Sequence, residues 1–539
     1  MRTRRARPRA SGLVLVLCVV GIAVPARVAY PRGATAVSEG TLRSPGNTTY
    51  YVDAAGGDDG NPGTSARRAW KTIAKVNACD LDRGDRILFA GGRIHRGTLK
   101  LVAEDGGEAW NYVTVSSYGD GRATIDGGAG DGVVLEGCAY VTVEKLKIVG
   151  CGRKKGSNGS GIRIKNTKHV TVDEVDVSGF RTAGVNAGGD AHTRLTKVHA
   201  HDNGFAGITV YGGWGGMPRS SDLYIGHCVT NNNPGDPKNK KNHSGNGIVV
   251  GGLDGGLIEH CESYNNGWDM PRRGNGPVGI WAWNCDRVII QCCISHDNKT
   301  QKGAWDGGGF DFDGGVTNSV MQYNLSYNNH GSGYLLCQFR GASEWKNNIC
   351  RYNITVNDGV TNHFDGIHFW NGGEGFSNAR IYNNLIVNER HGISSGESIP
   401  GLVFENNVII AKKALVKGPF HNARFENNVY YAPTGAPVFQ YKNTTYTTVE
   451  DWARATGQEM LDGRVVGRTC DPGVALPKNM KELPTNPAKR ESMTFGRPRN
   501  GSPVVGSGTR IPDNGGRDFF GNRVARDGPA NVGPCEGRP

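Results

Sequence analysis

Two aspartates, Asp311 and Asp313, stand two positions apart in an apolar run, Gly309-Phe-Asp-Phe-Asp313. On a strand they project from one face, about 7 Å apart at Cα. Aspartate is a poor strand former and like charges at that spacing repel, so a local rule is broken here. Such breaks are expected where a chain does chemistry, because paired carboxylates push their pKa values apart and leave one acid and one base. Glycosidic bond hydrolysis needs that division of labour: the acid protonates the leaving oxygen, and its partner activates water or attacks the anomeric carbon. Asp311 and Asp313 are therefore the first catalytic candidates. Asp365 is the alternative partner, and His368 is the group that would tune or orient one carboxylate. The spacing falls between the retaining separation near about 5 Å and the inverting range above about 6.5 Å, which leaves the stereochemistry open. Binding a structural cation or capping turns is the competing use of the pair.

Aromatic residues surround these acids in sequence register. Trp281, Trp283 and Trp370 fall on outward positions of neighbouring segments, and Tyr211, Trp214, Gln338 and Asp306 complete the expected substrate-binding set. Exposed indoles suit the apolar faces of pyranose rings, so the patch predicts a carbohydrate groove on the order of 15 Å long. A loop folded over the tryptophans, making a second small core, is the alternative.

The elements that would carry these residues repeat. From residue 161 onward a glycine followed by an alternating apolar pair returns at Gly161, Gly184, Gly207, Gly247, Gly279, Gly309, Gly333, Gly366 and Gly392. A second register, in segments such as 224–232, 258–266 and 381–388, reads as a short strand ending at a bend. It aligns Cys228, Cys261, Cys293, Asn324, Asn353, Asn384, Asn407 and Asn428 in one column. Stacked amides and small packed thiols make that column an internal ladder, with a Cys228–Cys261 disulfide as the rival reading. Two or three short strands per coil, glycine and asparagine at bends and no helical period predict an all-β solenoid, a parallel β-helix. Insertions at 231–246, 265–278, 297–308 and 356–365 should emerge on one side and wall a cleft. Their Lys238, Lys240, Lys241, Arg272, Arg273, Lys299 and Lys302 would attract an anionic glycan.

Over residues 49–440 the chain resembles the right-handed parallel β-helix superfamily of pectate lyase-like, secreted polysaccharide-active proteins. The opening Tyr50-Tyr-Val-Asp-Ala-Ala-Gly-Gly-Asp-Asp-Gly-Asn-Pro-Gly-Thr64 and the stretch Ala69-Trp-Lys-Thr-Ile-Ala-Lys-Val76 look like that family's first strand and N-terminal capping helix. Trp305-Asp-Gly-Gly-Gly-Phe-Asp-Phe-Asp-Gly-Gly315 resembles motifs of β-helix glycosidases. The resemblance implies a polysaccharide or oligosaccharide substrate and a glycoside hydrolase, with no cofactor. A lyase acting on a uronate-containing glycan is the alternative, with calcium on Asp306, Asp311 and Asp313. Against it, Gly331-Ser-Gly-Tyr-Leu335 lacks the acidic cluster of calcium-dependent pectate lyases, and no outward lysine lies beside Asp311. A non-catalytic glycan-binding surface protein is the third reading.

The ends and the composition set bounds. Five arginines in the first nine residues, an apolar run over 12–24 and Val24-Pro25-Ala26 predict a signal peptide over 1–26 cleaved after Ala26, hence a secreted or periplasmic protein free of the membrane. A linker follows over 27–48, and residues 441–539 read as a C-terminal cap that a Cys470–Cys535 disulfide could close. The net charge of +12 falls to +7 without those five arginines, too diffuse an excess for a nucleic-acid partner. A monomer is expected. With 82 glycines in 539 residues and 21% charged residues, the chain is neither collagen-like nor of the charged disordered class.

Overall fold

A computed structural model describes residues 42–213, 215–525 and 527–537. The expected signal peptide and most of the linker lie outside the described residues. From Thr49 the chain winds as coils of three strands, and corresponding strands of successive coils pair in parallel into three 14-stranded sheets. Sheet 1 runs from Thr49–Val52 to Arg424–Glu426, sheet 2 from Ile94–Arg96 to Arg468–Thr469, and sheet 3 from Leu99–Leu101 to Thr444–Tyr446. One coil is Val320–Gln322, Leu325–Tyr327 and Tyr334–Gln338. The glycine-led repeats form sheet 3. Each segment of the second register is two strands rather than one, because its ladder residue sits at the corner between sheets 1 and 2.

Strand alternation fills the interior. In sheet 3 Ile248, Val250, Ile280, Ala282, Phe310, Phe312, Ile367 and Phe369 point inward, and all are fully enclosed. Lateral register is unbroken across the coils, with Ile280 opposite Phe310 and Phe310 opposite Tyr334. The corner before each ladder residue takes a left-handed backbone, at Asn383, Asn406 and Asn427 among others, a conformation asparagine tolerates better than most residues. Ladder amides then bond coil to coil: Asn353 Oδ1 accepts from Asn324 N at 2.9 Å, and Asn353 Nδ2 donates to Asn384 Oδ1 at 3.1 Å and to Met321 O at 2.9 Å. Cys261 N donates to Cys293 Sγ at 3.4 Å, so thiols take the place of amides at one end of the column. A second ladder at the next corner, Asn203, Asn233, Asn266, Asn298, Asn329 and Asp358, is built the same way.

The cysteines from Cys79 to Cys535 are all free, so neither the Cys228–Cys261 bridge nor the Cys470–Cys535 closure is formed. The ends are covered by packing. Ile73–Asn77 is a short helix near the first coils whose Ile73 and Val76 are buried. At the other end Val449–Thr456 is a helix capped by Thr448, whose hydroxyl accepts from Asp451 N. Its Trp452 stacks on Phe439 at 4.9 Å and meets Phe425 edge-on. Among the described residues no helix is long and apolar enough to cross a membrane.

Candidate functional site

Outward positions of sheet 3 fall into columns. One column reads Asn186, Thr209, Val249, Trp281, Asp311, Leu335, His368, Ser394 and Lys417, in direct register coil after coil. All nine side chains line one open trench of about 1510 Å³. At about 4.8 Å per coil the floor runs about 40 Å, well over the length expected from the tryptophan patch, and the volume exceeds the ~300–1,000 Å³ of a small-ligand pocket. All four insertions contribute walls, through Asn242 and His243, Arg272 and Asn275, Trp305 and Asp306, and the run 362–365. Of the seven basic insertion residues expected to form a rim that attracts an anionic glycan, Arg272 alone lines the trench, joined by Lys417 from the floor.

The predicted acids meet here. Asp311 is buried on the trench floor and Asp313 is partly exposed beside it. Between them lies the Cys337 thiol, which donates to Asp313 Oδ1 at 2.9 Å and stands 3.6 Å from Asp311 Oδ1. Asp313 also accepts from Gly314 N at 2.7 Å. Asp306 adopts a left-handed backbone at φ 61° and accepts from Gly276 N at 2.8 Å, which brings its carboxyl in from the wall. Burial pushes Asp306 up to about 6 and raises Asp313. It holds Asp311 well above the usual carboxylate range, reinforced by the charges of Asp313 and Asp306. Cys337 is likewise held protonated by burial and by both aspartates. Calcium fits this group poorly: the atom central to the two carboxylates is a thiol, and calcium takes hard oxygen ligands.

Asp365 and His368 form a separate group on the same floor. Asp365 is buried, accepts a short hydrogen bond from Ser394 Oγ, and lies 3.2 Å from His368 Nδ1, which is 2.8 Å from the same hydroxyl. Asp365 thus orients the imidazole, and the hydroxyl of Ser394 completes the hydrogen-bonded trio.

The aromatic residues divide by exposure. Trp370 is 44% exposed and Tyr211 37%, both open to the trench. Trp283 is half-buried and lies over Gly251, where a Cβ would stand 2.2 Å from the indole. Trp281 is largely enclosed: its Nε1 donates to Asn246 Oδ1 at 3.1 Å, and His243 meets its ring edge-on at 4.9 Å, within a cluster with Ala183, Ala206, Val249 and Val278. For that one tryptophan the small-core alternative holds, although its edge still reaches the trench. Gln338 does not reach it. Fully buried, its amide accepts from Gly315 N and donates to Ser343 O and Glu374 O, which pins two loops to the coil. Trp214 lies outside the described residues.

Sequence reasoning missed Trp305, 62% exposed on the wall, and Phe364, which meets both Trp305 and His368 edge-on. It also missed His243, whose burial lowers it to about 4 and keeps it neutral. These three sit in insertions, where no strand period signals direction. Cys337 and Ser394 were legible as outward positions, and only their contacts give them meaning.

A family model described as "Right handed beta helix region" matches residues 119–236. A lacto-N-biosidase of Bifidobacterium longum subsp. longum is 24% identical over 97% of this chain, which spans 38% of that protein's length. An alpha-1,3-galactosidase A of Akkermansia muciniphila is 37% identical over 12% of this chain and 11% of its own. Among solved structures, a GH136 lacto-N-biosidase from Eubacterium ramulus is similar at 16% identity and TM-score 0.39, covering 66% of this chain and 65% of that one. Pectate lyase Pel9A is similar at 14% identity and TM-score 0.46, covering 92% and 96%. With its three parallel sheets wound coil on coil and that repeat model lying within them, the chain has the right-handed parallel β-helix fold.

Proposed function

We propose that the chain is a secreted carbohydrate-active enzyme, a glycoside hydrolase that holds a glycan along the sheet 3 trench and cleaves it at Asp311 and Asp313. The observation that carries this reading is the pair of outward carboxylates on the floor of a long trench edged by Trp283, Trp305 and Trp370. Sugar rings stack on the indoles, which places one glycosidic oxygen over the acids. Asp311, enclosed and held well above the carboxylate range, keeps its proton and donates it to the leaving oxygen. Asp313 receives the Gly314 N–H and the Cys337 thiol, two donors that favour its anion, and it attacks the anomeric carbon or activates water. His368, oriented by Asp365, contacts the bound sugar. The match to a lacto-N-biosidase along nearly the whole chain supports hydrolysis, and the arginine-rich then apolar N-terminal sequence supports export.

The test is turnover of a panel of neutral and uronic glycans, including a lacto-N-biosidase substrate, with and without chelator. Release of a reducing sugar is expected, with no product absorbing near about 235 nm. Asp311→Asn and Asp313→Asn should each lower kcat by about 10²–10⁴-fold while glycan retention persists. An unsaturated, ultraviolet-absorbing product would establish the lyase instead, and retention without cleavage by the wild type would leave a binding protein.

A further inference from the structure

Sheet 2 carries a second cluster of chemistry-bearing side chains, on its own outer face. Val177 and Ala200 point into the coil and are fully buried, so their neighbours Asp176, His199 and His201 point out. Asp176 lies in Asp176–Ser178 and the histidines in His199–His201 of the next coil, with Asp176 directly opposite His199. Asp176 Oδ2 is 3.2 Å from His199 Nδ1 and 3.5 Å from His201 Nε2. The three ligand atoms lie within 4.8 Å of one another, and all three residues are partly open to solvent.

The outer nitrogens are engaged elsewhere. His199 Nε2 is 2.8 Å from Asn231 Oδ1, and His201 Nδ1 is 2.6 Å from Asp202 Oδ2. These outer contacts leave His199 Nδ1 and His201 Nε2 turned toward Asp176. Two ring nitrogens and a carboxylate oxygen thus converge on one point, the arrangement of a three-ligand cation site. Ligands about 2.0–2.2 Å from a tetrahedral ion are about 3.4 Å apart, which matches both nitrogen–oxygen separations. Asp202 and Asn231 supply the outer contacts that fix ring tautomers in histidine metal sites.

We propose that Asp176, His199 and His201 bind one divalent transition-metal ion of the zinc class, with water in the fourth position, tying two successive coils together. Two imidazoles and one carboxylate suit zinc, nickel or copper better than calcium or magnesium. The site uses none of the trench residues and stands independently of the proposed hydrolysis.

Zinc titration of the tag-free, leader-cleaved protein in competition with a chromophoric chelator tests the assignment. The wild type should bind one zinc ion more than a His199→Ala/His201→Ala variant. Cobalt loading should give visible d–d bands that the variant lacks. Asp202→Ala leaves all three ligands in place and should weaken zinc about 10–100-fold, so the proposal stays testable if the double variant folds poorly. Equal zinc binding by wild type and double variant overturns it. So does a finding by NMR that both imidazoles are protonated at neutral pH and do not respond to added zinc.

Discussion

Carboxyl groups held neutral by burial leave a signature in stability as well as in turnover. For Asp306 the folded value is about 6 against an ordinary 3.8. The folded protein therefore holds that proton more tightly than the unfolded chain does. Its contribution is fully present below pH about 4, is lost as pH rises through about 6, and is a constant cost above that. Asp311 acts with the same sign over a wider range. An Asp306→Asn variant, which cannot ionise, should match the wild type near pH 4 and exceed it in Tm at pH 8. Thermal melts of both proteins across pH 4–8 check this, and parallel curves would remove the buried carboxyl from the explanation. The Asp311 and Asp313 pair was legible because two acids alternating with two phenylalanines violate strand chemistry. Asp306 was legible as an acid near them, but its approach depends on a left-handed backbone and on Gly276, 30 residues earlier. Gln338 misled for a related reason: an outward strand position can be covered by loops, and nothing in its own segment announces Ser343 and Glu374.

At the scale of strands and corners, the ladder column makes a sharper prediction than any single core residue. Asn353→Ala would leave Asn324 N without its acceptor and Met321 O without the amide donor, both in a dry interior, while Asn384 Oδ1 keeps the backbone N–H of residue 353. Unsatisfied buried groups cost about 1–3 kcal/mol each, so a loss of about 3 kcal/mol is expected by denaturant titration. Asn353→Cys should cost less, because thiols hold the same position at Cys228, Cys261 and Cys293. The column could be aligned from sequence since Asn recurs at one position of the bend, just after the residue that turns left-handed. The second column escaped notice because its asparagines looked like ordinary strand ends. One glycine has a functional counterpart to this role. Gly251→Ala would drive a methyl group into the Trp283 indole from the neighbouring coil and tilt it off the trench. The expected result is glycan binding weakened about 3–10-fold with kcat nearly retained, the worth of one stacked ring; unchanged KM would show that Trp283 contacts no sugar.

For the molecule as a whole, a solenoid has no closing partner for its last coil, and that edge must be hidden or it templates aggregation. Sheet 3 ends by turning back, since Phe439–Tyr441 pairs antiparallel with Thr444–Tyr446 in place of another parallel coil. Below that hairpin the interior would open on Phe425, Tyr430 and Phe439, and Trp452 of the Val449–Thr456 helix covers all three. Glu459, also buried, accepts from Asn428 Nδ2 and Tyr430 Oη and so terminates the asparagine ladder. The cap is therefore an apolar plug and a polar stop, held without any disulfide. Trp452→Ala should cost about 3–5 kcal/mol by denaturant titration and expose the stacked rings. Because neighbouring coils are coupled in series, the loss should fray the final coils first, while the trench around Asp311, several coils away, keeps its geometry. Turnover per folded molecule should then stay near wild type while Tm falls and association rises in sedimentation. Equal losses of turnover and stability would mean instead that cap and trench unfold as one cooperative unit.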